Sequence, residues 1–197
     1  MSKNEPQTFK SGEIPEEFKA REFTDGQPDD AEAFMESDPE FSESGREFSE
    51  APSWRAAKAL LKLRNQVNAA FPNRSKRSDG FIGDTAHCPG SSDHCPLINH
   101  DGVGVVAAFD MTNDPDNGCD AEKIVSAIVG SRDARIKFII WNRNIWNSSA
   151  IGDHAPWAKR RYNGVNPHTQ HAHFSVRKDR AKYDDETTEW VIATADA

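Results

Sequence analysis

His171-Ala172-His173-Phe174-Ser175-Val176-Arg177 alternates polar and apolar side chains without a break. A period of two is that of a strand with one buried face. It turns Ala172, Phe174 and Val176 toward a core and sets His171, His173 and Ser175 on the other side. Two imidazoles on one strand face can act at one centre. Crowding them is costly if both are protonated and favourable if one ligates a cation. A third histidine, His168, lies just upstream in His168-Thr169-Gln170-His171. The plain alternative is a pair of surface histidines on an edge strand.

Working outward, Ile136-Lys137-Phe138-Ile139-Ile140-Trp141 is a short apolar run that reads as a buried central strand. Val103 to Met111 reads as a further strand, with Val105, Val106 and Phe109 as its β-formers. Asp120 is placed to N-cap a helix carrying Ile124, Val125, Ile128 and Val129 and ending at Gly130. From Trp54 to Phe71 the residues favour helix, with Leu60, Leu63, Val67, Ala70 and Phe71 on one face. Residues 73–102 and 142–167 read as irregular, the first as a long loop of the kind that usually carries function. Trp141, Trp146 and Trp157 read as core. Helices and strands outside strict βαβ order predict an α+β domain, a small antiparallel sheet with flanking helices.

The charge is unevenly spread. The 197-residue chain has a net charge of −8, but residues 1–53 hold 15 acidic and 5 basic side chains, leaving +2 for residues 54–197. The first 53 residues contain no Val, Leu, Trp, Tyr or Cys, so they cannot bury enough apolar area to offset the entropy of ordering. They do contain six of the eleven phenylalanines, among them Phe34, Phe41 and Phe48 at intervals of seven. The expected organisation is a disordered acidic arm over 1–53, a folded body over 54–178 and a C-terminal tail over 179–197. The arm is either a solvating linker or a docking segment for a protein partner. No run approaches the roughly 20 apolar residues of a membrane span. The first residues lack the apolar core of a secretory signal, which predicts synthesis in the cytoplasm. The near-neutral body has no basic stripe, which argues against nucleic acid as a partner.

Asp110 closes the apolar stretch Val105-Val106-Ala107-Ala108-Phe109, and a carboxylate so placed usually faces a cation or several donors. Helix capping or an arginine salt bridge is the plainer account. Two histidines and one carboxylate from separate segments, with a fourth position open, are the ligand set of a catalytic zinc. Upstream, Ser92-Asp93-His94 offers a histidine, and so does His100.

The succession Ser92-Asp93-His94 … Ala108-Phe109-Asp110 … His171-Ala172-His173 resembles the signature of the zinc D-Ala-D-Ala peptidases of the Hedgehog/DD-peptidase fold. These include D-alanyl-D-alanine carboxypeptidases, the penicillin-insensitive murein endopeptidase and phage endolysins. The likeness spans roughly residues 54–178. It is greatest to an actinobacterial and phage branch, through Ser78-Asp79-Gly80-Phe81-Ile82-Gly83-Asp84, the 136–143 run and Asn166-Pro167-His168.

The resemblance implies that His94, Asp110 and His173 hold Zn2+. It implies that His171 stands beside the reacting centre as a catalytic group, with His168 as a second. It also implies that an arginine ahead of the first ligand binds substrate: Arg77, with Arg74 in reserve. The implied activity is hydrolysis of peptide bonds in peptidoglycan, after release onto the cell wall or as part of a phage particle.

Two departures stand out. Fifteen residues separate His94 from Asp110, a longer gap than the family's, and the insertion brings in His100 as a rival ligand. Gln170 stands where many members carry an acidic general base, which passes proton transfer to His171. A non-catalytic binding module on the same fold, and a metal-dependent nuclease, are the competing readings. Cys88 and Cys95 flank the Ser92-Asp93-His94 turn, and the sequence leaves open whether they are bridged.

Overall fold

Asp120 and the apolar face that follows it form a helix as the sequence predicts. The Asp120 carboxylate accepts the Glu122 N–H at 2.9 Å, and the helix runs Ala121–Ser131 with Ile124, Val125 and Ile128 buried. In this computed structural model the described residues are 7–8, 54–83 and 92–193. Most of the acidic arm, Asp84–Ser91 with Cys88, and residues 194–197 lie outside them.

In chain order the strands are β1 (Gln7–Thr8), β2 (Trp54–Ala56), β3 (Ile98–His100), β4 (Val103–Val106), β5 (Ala108–Thr112), β6 (Ile136–Trp141), β7 (Asn144–Asn147), β8 (Lys159–Arg161) and β9 (His171–Val176). The helices are α1 (Lys58–Ala70), α2 (Ala121–Ser131) and the single turn α3 (Arg180–Tyr183). A short 3-10 turn, Pro115–Asn117, precedes α2.

There are two sheets. One has the order β1-β3-β4-β2, with β2 parallel to β4 and the other pairs antiparallel. The other has the order β5-β9-β6-β7-β8 and is antiparallel throughout. The fold is mixed α and β, as expected, and β6 is the central strand the apolar run predicts.

Four local expectations are corrected. The helix predicted from Trp54 begins only at Lys58, because Trp54–Ala56 pairs with Gly104–Val106 as a strand. The predicted strand 103–111 is two strands, broken at Ala107, whose N–H is taken by the Asp93 carbonyl at 3.0 Å. The loop 73–102 contains β3, which joins β4 through Asp101 and Gly102, both at positive φ (53° and 86°). This is the twist a two-residue hairpin requires. The stretch 142–167 contains β7 and β8, with Asn142 and Arg143 at φ 45° and 65° making the turn out of β6.

One apolar core joins both sheets and the helices. Leu60, Leu63 and Val67 of α1, Ile124 and Ile128 of α2, Phe109, Ile139 and Phe174 all lie within it. Trp141 and Trp146 belong to it too, and Trp157 packs on its edge. Residues 179–193, read from sequence as a tail, pack on α1. Tyr183 and Trp190 are buried, and the Trp190 indole donates to the Ala59 carbonyl at 2.9 Å. The Arg135 guanidinium covers that indole at 3.7 Å.

Candidate metal centre

The antiparallel register of β5 and β9 places Asp110 directly opposite His173, and Thr112 opposite His171. The two sequence signals, a carboxylate closing one strand and alternate histidines in another, thus meet at neighbouring positions. Asp110 Oδ1 lies 2.9 Å from His173 Nδ1. His94 arrives from the turn before β3, with its Nε2 3.3 Å from Asp110 Oδ2 and 3.1 Å from His173 Nδ1. Gly80 pairs with Asp110 as an isolated bridge, so the chain around Phe81 runs past the same point.

Each imidazole is oriented through its other nitrogen. His94 Nδ1–H donates to the Phe81 carbonyl at 2.7 Å, and His173 Nε2 lies 3.0 Å from the Ser175 hydroxyl, which can accept its N–H when Nδ1 is a ligand. His94 Nε2 and His173 Nδ1 are then the nitrogens turned to the same carboxylate, and a cation among them would be met by their lone pairs, the arrangement that metal-ligating histidines show. Phe138 stacks on the His173 ring, with centroids 5.4 Å apart. The turn carrying His94 is anchored by its neighbour Asp93, a buried carboxylate paired with Lys137 of β6 at 2.6 Å.

The electrostatics agree with this grouping. Burial opposes charge on Asp110, but His94 and then His173 outweigh it and hold the carboxyl well below its usual range. Burial likewise pushes His94 down, yet the Asp110 carboxylate leaves it raised overall. His173 is lowered, chiefly by burial and against the pull of Asp110.

The donor set fits a metal ion. A tetrahedral zinc with bonds of about 2.0–2.1 Å places its donor atoms roughly 3.3 Å apart, and those here are separated by 2.9–3.3 Å. Two lone pairs 3.1 Å apart repel unless a proton or a cation lies between them. His94, Asp110 and His173 therefore form a buried group able to bind a metal.

The other predicted residues divide. His171 and His168 both reach the centre. His171 Nε2 is 3.6 Å from Asp110 Oδ2, and the His168 ring lies 5.0 Å from that of His171 and 5.5 Å from that of His173. Burial, reinforced by His173, lowers His168 to about 4, so its imidazole stays neutral.

His100 does not compete as a ligand. It lies on β3 against Tyr183, whose hydroxyl is 2.9 Å from His100 Nδ1. Arg74 is not available to substrate, because its buried guanidinium is tied to Asp79 and to Asn68. Arg77 is exposed on the turn before Gly80 and makes no ion pair among the described residues. Cys95 is disulfide-bonded, and Cys119 is free and buried.

Four contributors escaped the sequence reading. The Phe81 carbonyl and the Phe138 ring carry no chemical signature in a sequence. Ser175 was readable in principle, since it shares a strand face with His173. The fourth is Asn166, whose side chain and carbonyl take the His168 N–H at 2.9 Å and His168 Nδ1 at 2.7 Å.

No family model, no curated protein and no solved structure matches the chain. Among the described residues, no helix is long and apolar enough to cross a membrane.

Proposed function

We propose that the protein is a zinc-dependent hydrolase that cleaves peptide bonds of peptidoglycan. The observation that carries this reading is the convergence of His94 Nε2, His173 Nδ1 and the Asp110 carboxylate within 3.3 Å of one another, with a further imidazole beside them whose two nitrogens are unpartnered. His94, Asp110 and His173 would hold the ion. When bound, zinc supplies Lewis-acid polarisation of the scissile carbonyl and activates water near neutral pH. The peptide substrate follows from the sequence resemblance and from a body without a basic stripe.

His171 is the proton carrier in this reading. It lies on the same strand face as His173, and both of its ring nitrogens are buried without a hydrogen-bond partner. It is thus free to take a proton from water and return it to the leaving amine. Gln170, exposed and unable to accept a proton, leaves that work to the imidazole. His168, held neutral and fixed by Asn166, borders the same space and would accept a hydrogen bond from the attacking water through Nε2. Exposed Arg77 would engage a carboxylate or carbonyl of the substrate peptide. The acidic arm would tether the enzyme to a protein partner at the cell wall or in a phage particle.

The test is digestion of purified peptidoglycan with the full chain. The reading expects new amino groups to be released, the release to stop with a chelator, and activity to return with added zinc. Absence of release by zinc-loaded protein would contradict it. Cleavage of plasmid DNA under the same conditions would favour the nuclease reading instead.

A further inference from the structure

The His94–Asp110–His173 centre does not exhaust the donors at this end of the sheet. Asp110, His168 and His171 form a second group, each offering one ligand atom and all of these lying within 4.8 Å of one another. Asp110 is common to both groups, and its Oδ2 stands between them. Oδ1 is nearest His173 Nδ1, at 2.9 Å, whereas Oδ2 lies 3.3 Å from His94 Nε2 and 3.6 Å from His171 Nε2.

The second group is prepared in the same manner as the first. His168 Nδ1 donates to the Asn166 carbonyl at 2.7 Å, which leaves Nε2 with its lone pair. The residue is held at φ 51°, a left-handed conformation that a non-glycine residue rarely adopts. Two asparagines keep it there: Asn166 takes its N–H, and the Asn142 N–H donates to its carbonyl at 2.8 Å.

His171 has the opposite condition. Neither ring nitrogen has a hydrogen-bond partner although both are buried, and the 3.6 Å to Asp110 is too long for a hydrogen bond. A buried polar atom without a hydrogen bond costs stability, so a native structure that keeps one calls for an explanation.

We propose that Asp110, His168 and His171 form a second divalent-cation site, joined to the first through the Asp110 carboxylate. Imidazole and carboxylate donors suit zinc and its neighbours in the first transition row. A carboxylate shared between two ions, which then sit roughly 3.5–4 Å apart, is the arrangement of two-metal hydrolytic centres.

The second ion binds more weakly than the first. One carboxylate offsets only part of the charge of two dications, and the ions repel each other at short range. Its occupation also takes the His171 lone pair out of proton transfer, so excess metal inhibits hydrolysis. That consequence rests on the proposed hydrolase reading; the site itself does not.

Calorimetric titration of the metal-free full chain with Zn2+ tests the site without any substrate. Two equivalents are expected, the second at least about tenfold weaker. His168→Ala and His171→Ala should each keep the first equivalent and lose the second. With Co2+ in place of zinc, the paramagnetic signal of the first ion should change as the second binds, because a bridging carboxylate couples their spins.

A single equivalent throughout would overturn the proposal and leave the first centre intact. So would a second equivalent that persists in both variants, since it would then lie on an exposed side chain such as His154. Failure to bind any zinc would overturn this site and the hydrolase reading together.

Discussion

Asp110 and His173 face each other across the β5–β9 ladder, with Oδ1 and Nδ1 2.9 Å apart. A directly opposed pair needs no loop to bring it together, so the rigidity of the sheet becomes the rigidity of the site. The third donor, His94, is the one that depends on a turn, and that turn is held by the Asp93–Lys137 ion pair and by backbone bonds to Gly83 and Ala107.

Ser175 should matter to metal binding although it touches no metal. Its hydroxyl lies 3.0 Å from His173 Nε2 and can take that N–H, which favours the tautomer that presents Nδ1 to a metal. Ser175→Ala should weaken zinc binding about 10–100-fold, the usual cost of losing such a partner. Competition with a chromophoric chelator measures this. A melting temperature close to wild type would show that the fold is intact.

His171 and His173 share a face but should fail differently. His171→Ala is expected to lower turnover about 10²–10⁴-fold while zinc remains bound at the first centre. His173→Ala should lose metal and activity together. If His171→Ala stays fully active while Gln170→Ala is dead, the assignment of the proton carrier is wrong.

The Arg74–Asp79 pair should be structural. Arg74 is buried, and Asp79 also accepts the Thr112 N–H and hydroxyl, both at 2.9 Å, at the end of β5. Arg74→Ala would leave the partly buried Asp79 carboxylate without its counter-charge, at a cost of about 3 kcal/mol. For a body of this size that is a fall in Tm of roughly 10 °C. Arg77→Ala, by contrast, should leave Tm unchanged and raise KM for peptidoglycan.

Cys119 should be inert in the native protein. Burial raises its thiol to about 11, and it is the thiolate that reacts. A disulfide-exchange reagent at pH 8 should therefore label it only after unfolding. Because the folded pKa lies above the unfolded one, its contribution to stability is complete below pH 9 and is lost as the pH rises toward 11.

What could be read from sequence follows the physics of each element. The period-two pattern of His171–Val176 and the apolar run Ile136–Trp141 returned as β9 and β6, because alternation and continuous burial are local signals. The Asp120 cap returned for the same reason. Trp54–Ala56 was misread because helix propensity there is outweighed by pairing with β4, a partner some 50 residues away. The β3–β4 hairpin had a usable signal in Asp101-Gly102 that the surrounding Gly, Pro and Ser obscured. The β6–β7 turn used Asn142 and Arg143, a weaker signature. At the centre, the donors were legible as residue types, whereas the tertiary contacts that aim them, the Phe81 carbonyl and the Phe138 ring, had no signature.

The most direct test of the account is the metal content of the purified chain after passage through metal-free buffer, measured for wild type, Asp110→Ala and His173→Ala. The account predicts close to one tightly held zinc per wild-type chain and none in either variant. A wild-type chain that holds no metal when zinc is supplied, or variants that keep it, would contradict the assignment of His94, Asp110 and His173 as the metal centre.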